Sequence, residues 1–303
     1  CGIELVYFTS QSSLARFLES INYIYTLFDL CHLDYPEFPE VGNFRMFQNR
    51  ERAFARDLPR AFGVMVDSLV AKDNAISHYG LKPDRVHIFT FKPSISIKSS
   101  EEVDIRQRYS LDCDYIFYPA QFWPHKNHIY ILEALKHLHD TRGIRVAAIF
   151  AGSDKGNLEY IRKSALQMKI SDYVVFAGYV SNEEMRPLYS QAFAFVMPTY
   201  FGPTNLPPLE AFSLGVPVLY SDLPGLREQV GDAAMLLDLT DPQSLSSQLF
   251  SLYQSPLLRN SLIDKGFKRL EELDKDNDKI LVITKVIKDY IVRKKCWSQD
   301  VKY

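Results

Sequence analysis

The stretch Pro198-Thr-Tyr-Phe-Gly-Pro-Thr-Asn-Leu-Pro-Pro-Leu-Glu210-Ala-Phe-Ser-Leu-Gly215-Val-Pro-Val218 decides the fold. The residues before it, from Phe193 to Met197, form a short apolar run, as expected of a strand buried on both faces. A loop of Gly, Pro, Thr and Asn follows. Pro207-Pro208 then opens a short helix predicted to reach Leu214, because proline is tolerated in a first helical turn. Val216 to Tyr220 is a second apolar run. Strand, loop, helix and strand in this order belong to a parallel sheet. Glu210 falls near the helix start, where N–H groups and the positive end of the helix dipole attract anions.

The alternation extends in both directions. Upstream, strands are predicted from Tyr115 to Pro119, from Val146 to Ala151 and from Tyr173 to Ala177, with helices over 127–139, 158–168 and 182–191. Downstream, a strand covers Ala233 to Leu237, and helices cover 243–253 and 256–273. The first part of the chain reads as strands over 4–8, 24–28, 62–66 and 86–89, with helices over 45–60 and 70–79. Residues 92–102 are a Ser/Lys/Glu-rich linker, and 279–295 form a long terminal helix. The chain is therefore α/β, with parallel sheets covered on both sides. Ligands of such sheets lie beyond the carboxyl ends of the strands, where the motifs described below fall.

Composition sets the bounds. The 303 residues are 47% hydrophobic and 24% charged, ordinary for a globular protein of about two domains. A net charge of −2 gives no reason to expect nucleic-acid binding. The four cysteines are scattered without a CxxC pair, which argues against a disulfide framework or zinc site and for a reducing cytosol. No apolar run approaches the roughly 20 residues of a membrane span. There is no signal peptide, low-complexity tract or internal repeat.

With Gln121-Phe-Trp-Pro-His-Lys126-Asn127 upstream, the 198–218 segment resembles the C-terminal half of retaining GT-B glycosyltransferases, in particular glycosyltransferase family 4. The likeness covers roughly residues 20 to 275 and is strongest between 115 and 240. It implies two Rossmann-like domains with parallel sheets: a partial acceptor-side domain over 1–95, a linker over 96–111, a nucleotide-sugar domain over 112–275, and a helix over 276–303 that crosses back to the first domain. Cys1-Gly-Ile-Glu-Leu-Val-Tyr-Phe reads as a strand already inside a domain. By resemblance, roughly the first quarter of a complete enzyme is absent and the N-terminal domain is truncated.

The implied activity moves a sugar from a nucleotide-diphosphate donor to a glycan or lipid-linked acceptor, in surface polysaccharide assembly at the cytoplasmic face of the inner membrane. Charge that builds on the departing diphosphate needs cations or backbone dipoles. No Asp-x-Asp strand-end motif is suited to a metal, so no metal or other cofactor is expected. Lys126 alone would be an ordinary loop lysine, but the Trp-Pro-His-Lys-Asn context directly after a strand assigns it to the diphosphate. Glu210 would accept the ribose hydroxyls; its structural alternative is a helix-dipole partner. Thr204, Asn205 and Leu206 would offer donors to phosphate and sugar, and Gly178-Tyr179-Val180 would lie near the base. His32, in Asp29-Leu-Cys-His32, would line the reaction centre; its alternative is a structural histidine at a strand end. Two positions depart from the family pattern. Gly202 stands where a Glu normally meets the donor sugar, and Gln121 stands where an Arg normally meets the diphosphate.

Residues 44–62 carry a further pattern. Arg45, Arg52, Arg56 and Arg60 form one helical stripe opposite Phe47, Phe54, Leu58 and Phe62. This is either a surface helix packing its apolar side inward or a contact for anionic lipid heads or a lipid-pyrophosphate acceptor. The rival to a transferase is a module that binds a nucleotide sugar without turnover, or an inactive truncated transferase that acts as a docking partner. A phosphorylase-type enzyme lacks support, because no pyridoxal-binding lysine context is present.

Overall fold

The computed structural model describes residues 2–90, 103–276 and 279–296. The expected linker over 92–102 lies outside them. The chain forms two compact units. The first holds described residues 2–37, 41–90 and those from 273 onward. The second holds 38–40 and 103–272. Residues 38–40 thus depart from the expected domain division, which assigns them to the first domain.

In chain order the first unit begins with β1 (Leu5–Phe8), β2 (Asn22–Thr26), α1 (Cys31–Asp34), α3 (Phe44–Arg60), β3 (Gly63–Val66), α4 (Leu69–Tyr79) and β4 (Val86–Ile88), and the short α2 (Pro39–Gly42) is divided between the two units. Its four strands pair in parallel in the order β1-β2-β3-β4. One sheet face carries Tyr23, Tyr25, Val64 and Val66, packed with Phe54 and Leu58 of α3 and Ala71 and Ala75 of α4. The other carries Ile24 and Met65, packed with Val286. Successive strand residues point to opposite faces, so one strand serves both layers. α4 has clear stops: the Ser68 side chain accepts from the Ala71 N–H, and Gly80 closes the helix at φ 60°.

The second unit continues with α5 (Ile105–Arg108), β5 (Tyr115–Pro119), α6 (His128–Arg142), β6 (Ala147–Ala151), α7 (Leu158–Gln167), β7 (Val174–Gly178), α8 (Asn182–Ser190), β8 (Ala194–Met197), α9 (Leu206–Ser213), β9 (Val218–Ser221), α10 (Pro224–Val230), β10 (Ala234–Leu237), α11 (Gln243–Gln254) and α12 (Pro256–Asp276). Its sheet order is β10-β9-β8-β5-β6-β7, parallel throughout. After β7 the chain crosses back, and β8 pairs with the other side of β5. The strand order thus reverses direction between β5 and β8, the point at which open parallel sheets bind their ligands. Strands β5, β6, β8 and β9 are buried along nearly their whole length, which explains their continuous apolar sequences.

Several elements differ from the sequence reading. The region 96–111 is not wholly linker: Asp104 caps α5 by accepting from the Gln107 N–H. The α10 helix was not expected, although Pro224 at its first position and Gly231 just past its end are start and stop signals. α3 ends at Arg60, and Phe62 does not share its apolar side. It stacks edge-on against Tyr290, 5.2 Å between centroids. Tyr290 lies on α13 (Lys279–Lys294), whose Val286 joins the first unit's core and whose Tyr290 hydroxyl donates to the Glu4 carbonyl.

His128, at the first turn of α6, is fully buried among Tyr118, Phe122 and Phe150. Neither ring nitrogen has a hydrogen-bond partner of good geometry. Burial, and then the Lys126 charge, lower its pKa to about 3. The unfolded chain, with a histidine near 6.5, takes up this proton first. Stability contributed by the neutral ring is therefore lost as pH falls below about 6.5, by up to about 1.4 kcal/mol per pH unit. His128→Phe is expected to stay within about 1.5 kcal/mol of the wild type at pH 7 and to show a shallower loss between pH 6 and 4. Urea unfolding across that range measures both; an unchanged slope would show that this ring does not set it.

Candidate functional site

The site is built from loops that leave adjacent parallel strands at the same end. The loop after β5 carries Gln121, Lys126 and Asn127; the loop after β8 carries Gly202, Thr204, Asn205 and Leu206. His125 joins them: its carbonyl accepts from the Tyr200 N–H at 3.0 Å and the Thr199 hydroxyl at 3.4 Å. The Phe122 N–H donates to the Ser153 carbonyl, and the Gly152 N–H donates to the Gly178 carbonyl, which brings in the loops after β6 and β7.

Glycine is required where these loops touch. A Cβ on Gly152 would lie 2.3 Å from the Ala120 oxygen, and one on Gly225 would lie 2.6 Å from the Pro203 oxygen. Gly202 has φ 119°, and a Cβ there would come within 3.1 Å of the Asn205 amide. A glutamate at this position would have to adopt a backbone conformation that L-residues avoid. The departure at 202 is thus built into the loop.

The lysine turn is fixed on both sides. Trp123 Nε1 donates to Gln121 Oε1 at 2.9 Å, and the Tyr118 hydroxyl donates to the Lys126 carbonyl at 2.9 Å. Asn127 takes a left-handed conformation, φ 55° and ψ 42°, before α6 and caps it without a side-chain hydrogen bond. Lys126 itself is half-buried.

Glu210 lies in α9, and its Oε2 accepts from the Tyr189 hydroxyl at 2.8 Å. Tyr189 is fully buried, edge-on to Phe117 and stacked on Phe195. Burial and the Glu210 charge hold its pKa well above 10, so the phenol keeps its proton and donates it. Nothing in Pro187-Leu-Tyr189 marks this tyrosine as a neighbour of residue 210.

The structure corrects four other expectations. The Asn205 N–H donates to Gln229 Oε1 at 3.1 Å, its carbonyl accepts from Gln229 Nε2 at 2.7 Å, and its Nδ2 donates to the Tyr220 hydroxyl at 2.7 Å. Asn205 is a clamp within the loop rather than a ready ligand donor. α9 begins at Leu206, and prolines 207 and 208 remove two N–H donors from its first turn, so its start offers an anion fewer N–H groups than expected. Val180 is buried at 6% exposure, whereas Tyr179 is 87% exposed.

His32 is the fourth, and it lies in the first unit. Its side chain is wholly buried between Phe47 and Phe54 and does not open onto a surface. Nε2 donates to Glu51 Oε2 at 3.1 Å, and Tyr79 donates to the same oxygen at 2.8 Å. Burial lowers the His32 pKa, against the pull of Glu51. Asp29 is tied to Arg50 and accepts from the Cys31 N–H. The surroundings of both are those of structural residues.

On α3, Arg45, Arg52, Arg56 and Arg60 are all exposed. Arg56 forks onto the buried Asp57 carboxylate at 2.7 and 2.9 Å, and Arg60 donates to the Leu18 carbonyl. At the same helix start Phe44 is 76% and Met46 57% exposed. Among the described residues, no three or more His, Cys, Asp or Glu side chains are grouped to hold a metal ion, and no helix is long and apolar enough to cross a membrane.

The family model for glycosyl transferases group 1 matches residues 101–269, more than half of the chain. The chain belongs to this family. It is 25% identical over 256 residues to O-antigen chain mannosyltransferase B of Escherichia coli, covering 83% of this chain and 66% of that protein. It is 24% identical over 196 residues to O-antigen chain mannosyltransferase RfbU of Salmonella typhimurium, covering 64% and 51%. The chain thus spans about half to two thirds of the length of these two relatives. Anabaena HepE, solved with UDP and glucose, superposes with a TM-score of 0.74 at 16% identity, covering 95% of this chain and 78% of that one. WaaG, a glycosyltransferase involved in lipopolysaccharide biosynthesis, superposes at 0.69 with 17% identity, covering 88% and 72%. The fold is GT-B, with two Rossmann-like units.

Gly152→Ala tests the loop contacts. The added methyl must push Ala120 away, and the expected loss is about 1–3 kcal/mol of unfolding free energy in urea. Wild-type stability would show that the loops after β5 and β6 are not in contact.

Proposed function

We propose that this chain is the catalytic part of a retaining glycosyltransferase. It moves a sugar from a nucleotide-diphosphate donor to a glycan or lipid-linked acceptor, in surface polysaccharide assembly on the cytoplasmic side of the membrane. The observation that supports this reading is the match to the group 1 family model over residues 101–269, with Lys126 and the start of α6 following β5 and Glu210 following β8.

Breaking the bond from sugar to diphosphate leaves an oxocarbenium-like sugar and a negatively charged leaving group. Lys126 supplies a cation, and the first-turn N–H groups of α6 supply aligned dipoles beside it, so the reaction proceeds without a metal ion. Gln121, Thr204 and the backbone at Gly202 and Leu206 complete the phosphate and sugar contacts. Glu210 accepts the ribose hydroxyls, and Tyr189 holds its second oxygen in place. Gly178 turns the chain so that exposed Tyr179 borders the base. His32 receives no catalytic role.

Lys126→Ala is expected to weaken UDP or GDP binding about 10- to 150-fold, the worth of one charged hydrogen bond of about 1.5–3 kcal/mol. The matching nucleoside should lose little, and EDTA should change neither. Calorimetry reads these values. Equal loss for nucleotide and nucleoside would make the lysine structural.

A second reading, a nucleotide-sugar-binding module, is favoured by one feature: Gly202 and uncharged Gln121 replace two donor contacts. Binding without sugar transfer in the full-length protein would select it.

The arginine stripe of α3 is the proposed membrane contact, with exposed Arg45 and Arg52 meeting anionic heads while Arg56 is held by Asp57. Arg52→Glu and added salt should each reduce flotation with phosphatidylglycerol vesicles. Binding indifferent to both would remove this contact.

A further inference from the structure

Phe38–Glu40 belongs to the second unit although the residues on both sides of it belong to the first. Its contacts converge on the residue before Lys126. Glu40 Oε1 accepts the His125 backbone N–H at 3.0 Å and lies directly against His125 Nδ1. The two side chains are 6% and 9% exposed. The His125 ring stacks on Phe201, 3.8 Å between centroids at an interplanar angle of 15°. Phe38 packs edge-on against Phe201 and tilted against Tyr200.

His125 is therefore held by Glu40 on its N–H and by Thr199 and Tyr200 on its carbonyl. The carbonyl of the next residue, Lys126, is held by Tyr118. The turn at 124–127 has little freedom left, and the most strongly charged of its anchors is Glu40. A carboxylate accepting a buried N–H makes a strong bond, and removing it leaves that N–H and the imidazole without a partner. Glu40 Oε2 has no hydrogen-bond partner, so the anchor rests on Oε1 alone.

We propose that Glu40 is a positioning residue for phosphate recognition: through His125 it sets the turn that aims Lys126 and the start of α6 at the donor diphosphate. This deepens the proposed function and rests on its reading of Lys126. A contact that served stability alone would affect all ligands equally. A contact that aims a cation affects the diphosphate selectively.

The test uses the intact chain with UDP, GDP, uridine and guanosine, by calorimetry, alongside thermal unfolding. Glu40→Ala is expected to weaken nucleoside diphosphate binding about tenfold while nucleoside binding stays within about twofold. Glu40→Gln keeps Oε1 as an amide oxygen and should recover binding to within about threefold of the wild type. Glu40→Asp keeps the charge but not the reach and should lose as much as alanine. Should Glu40→Ala fail to fold, the Gln and Asp variants carry the comparison. An unchanged preference for diphosphate over nucleoside in Glu40→Ala or Glu40→Asp, or a glutamine variant as weak as alanine, overturns the inference. A wild type without any such preference overturns instead the reading of Lys126.

Discussion

Strands β5 and β8 lie side by side, although three helices and two strands separate them in the chain. Ile116 and Phe117 pair with Ala194 and Phe195, and all four are fully buried. Because the chain leaves β5 toward β6 and leaves β8 toward β9, the loops above this pair part beyond their contact at His125, Thr199 and Tyr200. Everything proposed for the site depends on that divergence. A parallel sheet wound in one direction would pack each loop over the next strand and leave no hollow.

The hollow needs rigid walls, and the walls are backbone. Gly152 and Gly225 let one loop lie against another's carbonyl. Gln229 pairs with both backbone groups of Asn205, and Tyr220 takes its side chain. This arrangement has a chemical cost. Asn205 spends its donors on the loop, and Gly202 at φ 119° displaces the carboxylate expected there. The loop after β8 has exchanged a charged side chain for a fixed shape. A ligand would therefore meet this loop mainly through shape.

Much of the fold could be read from the sequence because buried parallel strands announce themselves. Tyr115–Pro119, Ala147–Ala151 and Ala194–Met197 are short apolar runs between turn signals, and each is a strand. The α10 helix is legible through Pro224 at its start and Gly231 just past its end. The site was legible only where its residues are adjacent in sequence, as in 121–127 and 202–210. Tyr189 reaches Glu210 across 21 positions, Gln229 reaches Asn205 across 24, and Glu40 reaches His125 across 85. Side-chain partners at such separations leave no local pattern. His32 shows the converse problem. A histidine after a strand end looks like a ligand, yet Phe47 and Phe54, from a helix further along, enclose it.

The two helix starts beside the hollow are not equivalent. Peptide dipoles sum along any helix, but an anion is held by the N–H groups it can touch. α9 is eight residues long with prolines at its second and third positions, so two of those groups are absent. α6 is fifteen residues long, begins with no proline in its first turn, and is capped by Asn127 without a side-chain hydrogen bond. Its first-turn N–H groups have no competing cap, and Lys126 stands one residue before that cap. Phosphate charge is thus better matched to the β5 side of the hollow. The β8 side, with a half-buried carboxylate held by a buried phenol, is better matched to hydroxyls. Under the proposed function, a diphosphate would meet the β5 side and a ribose the β8 side, the order in which the two groups follow each other along a nucleotide sugar.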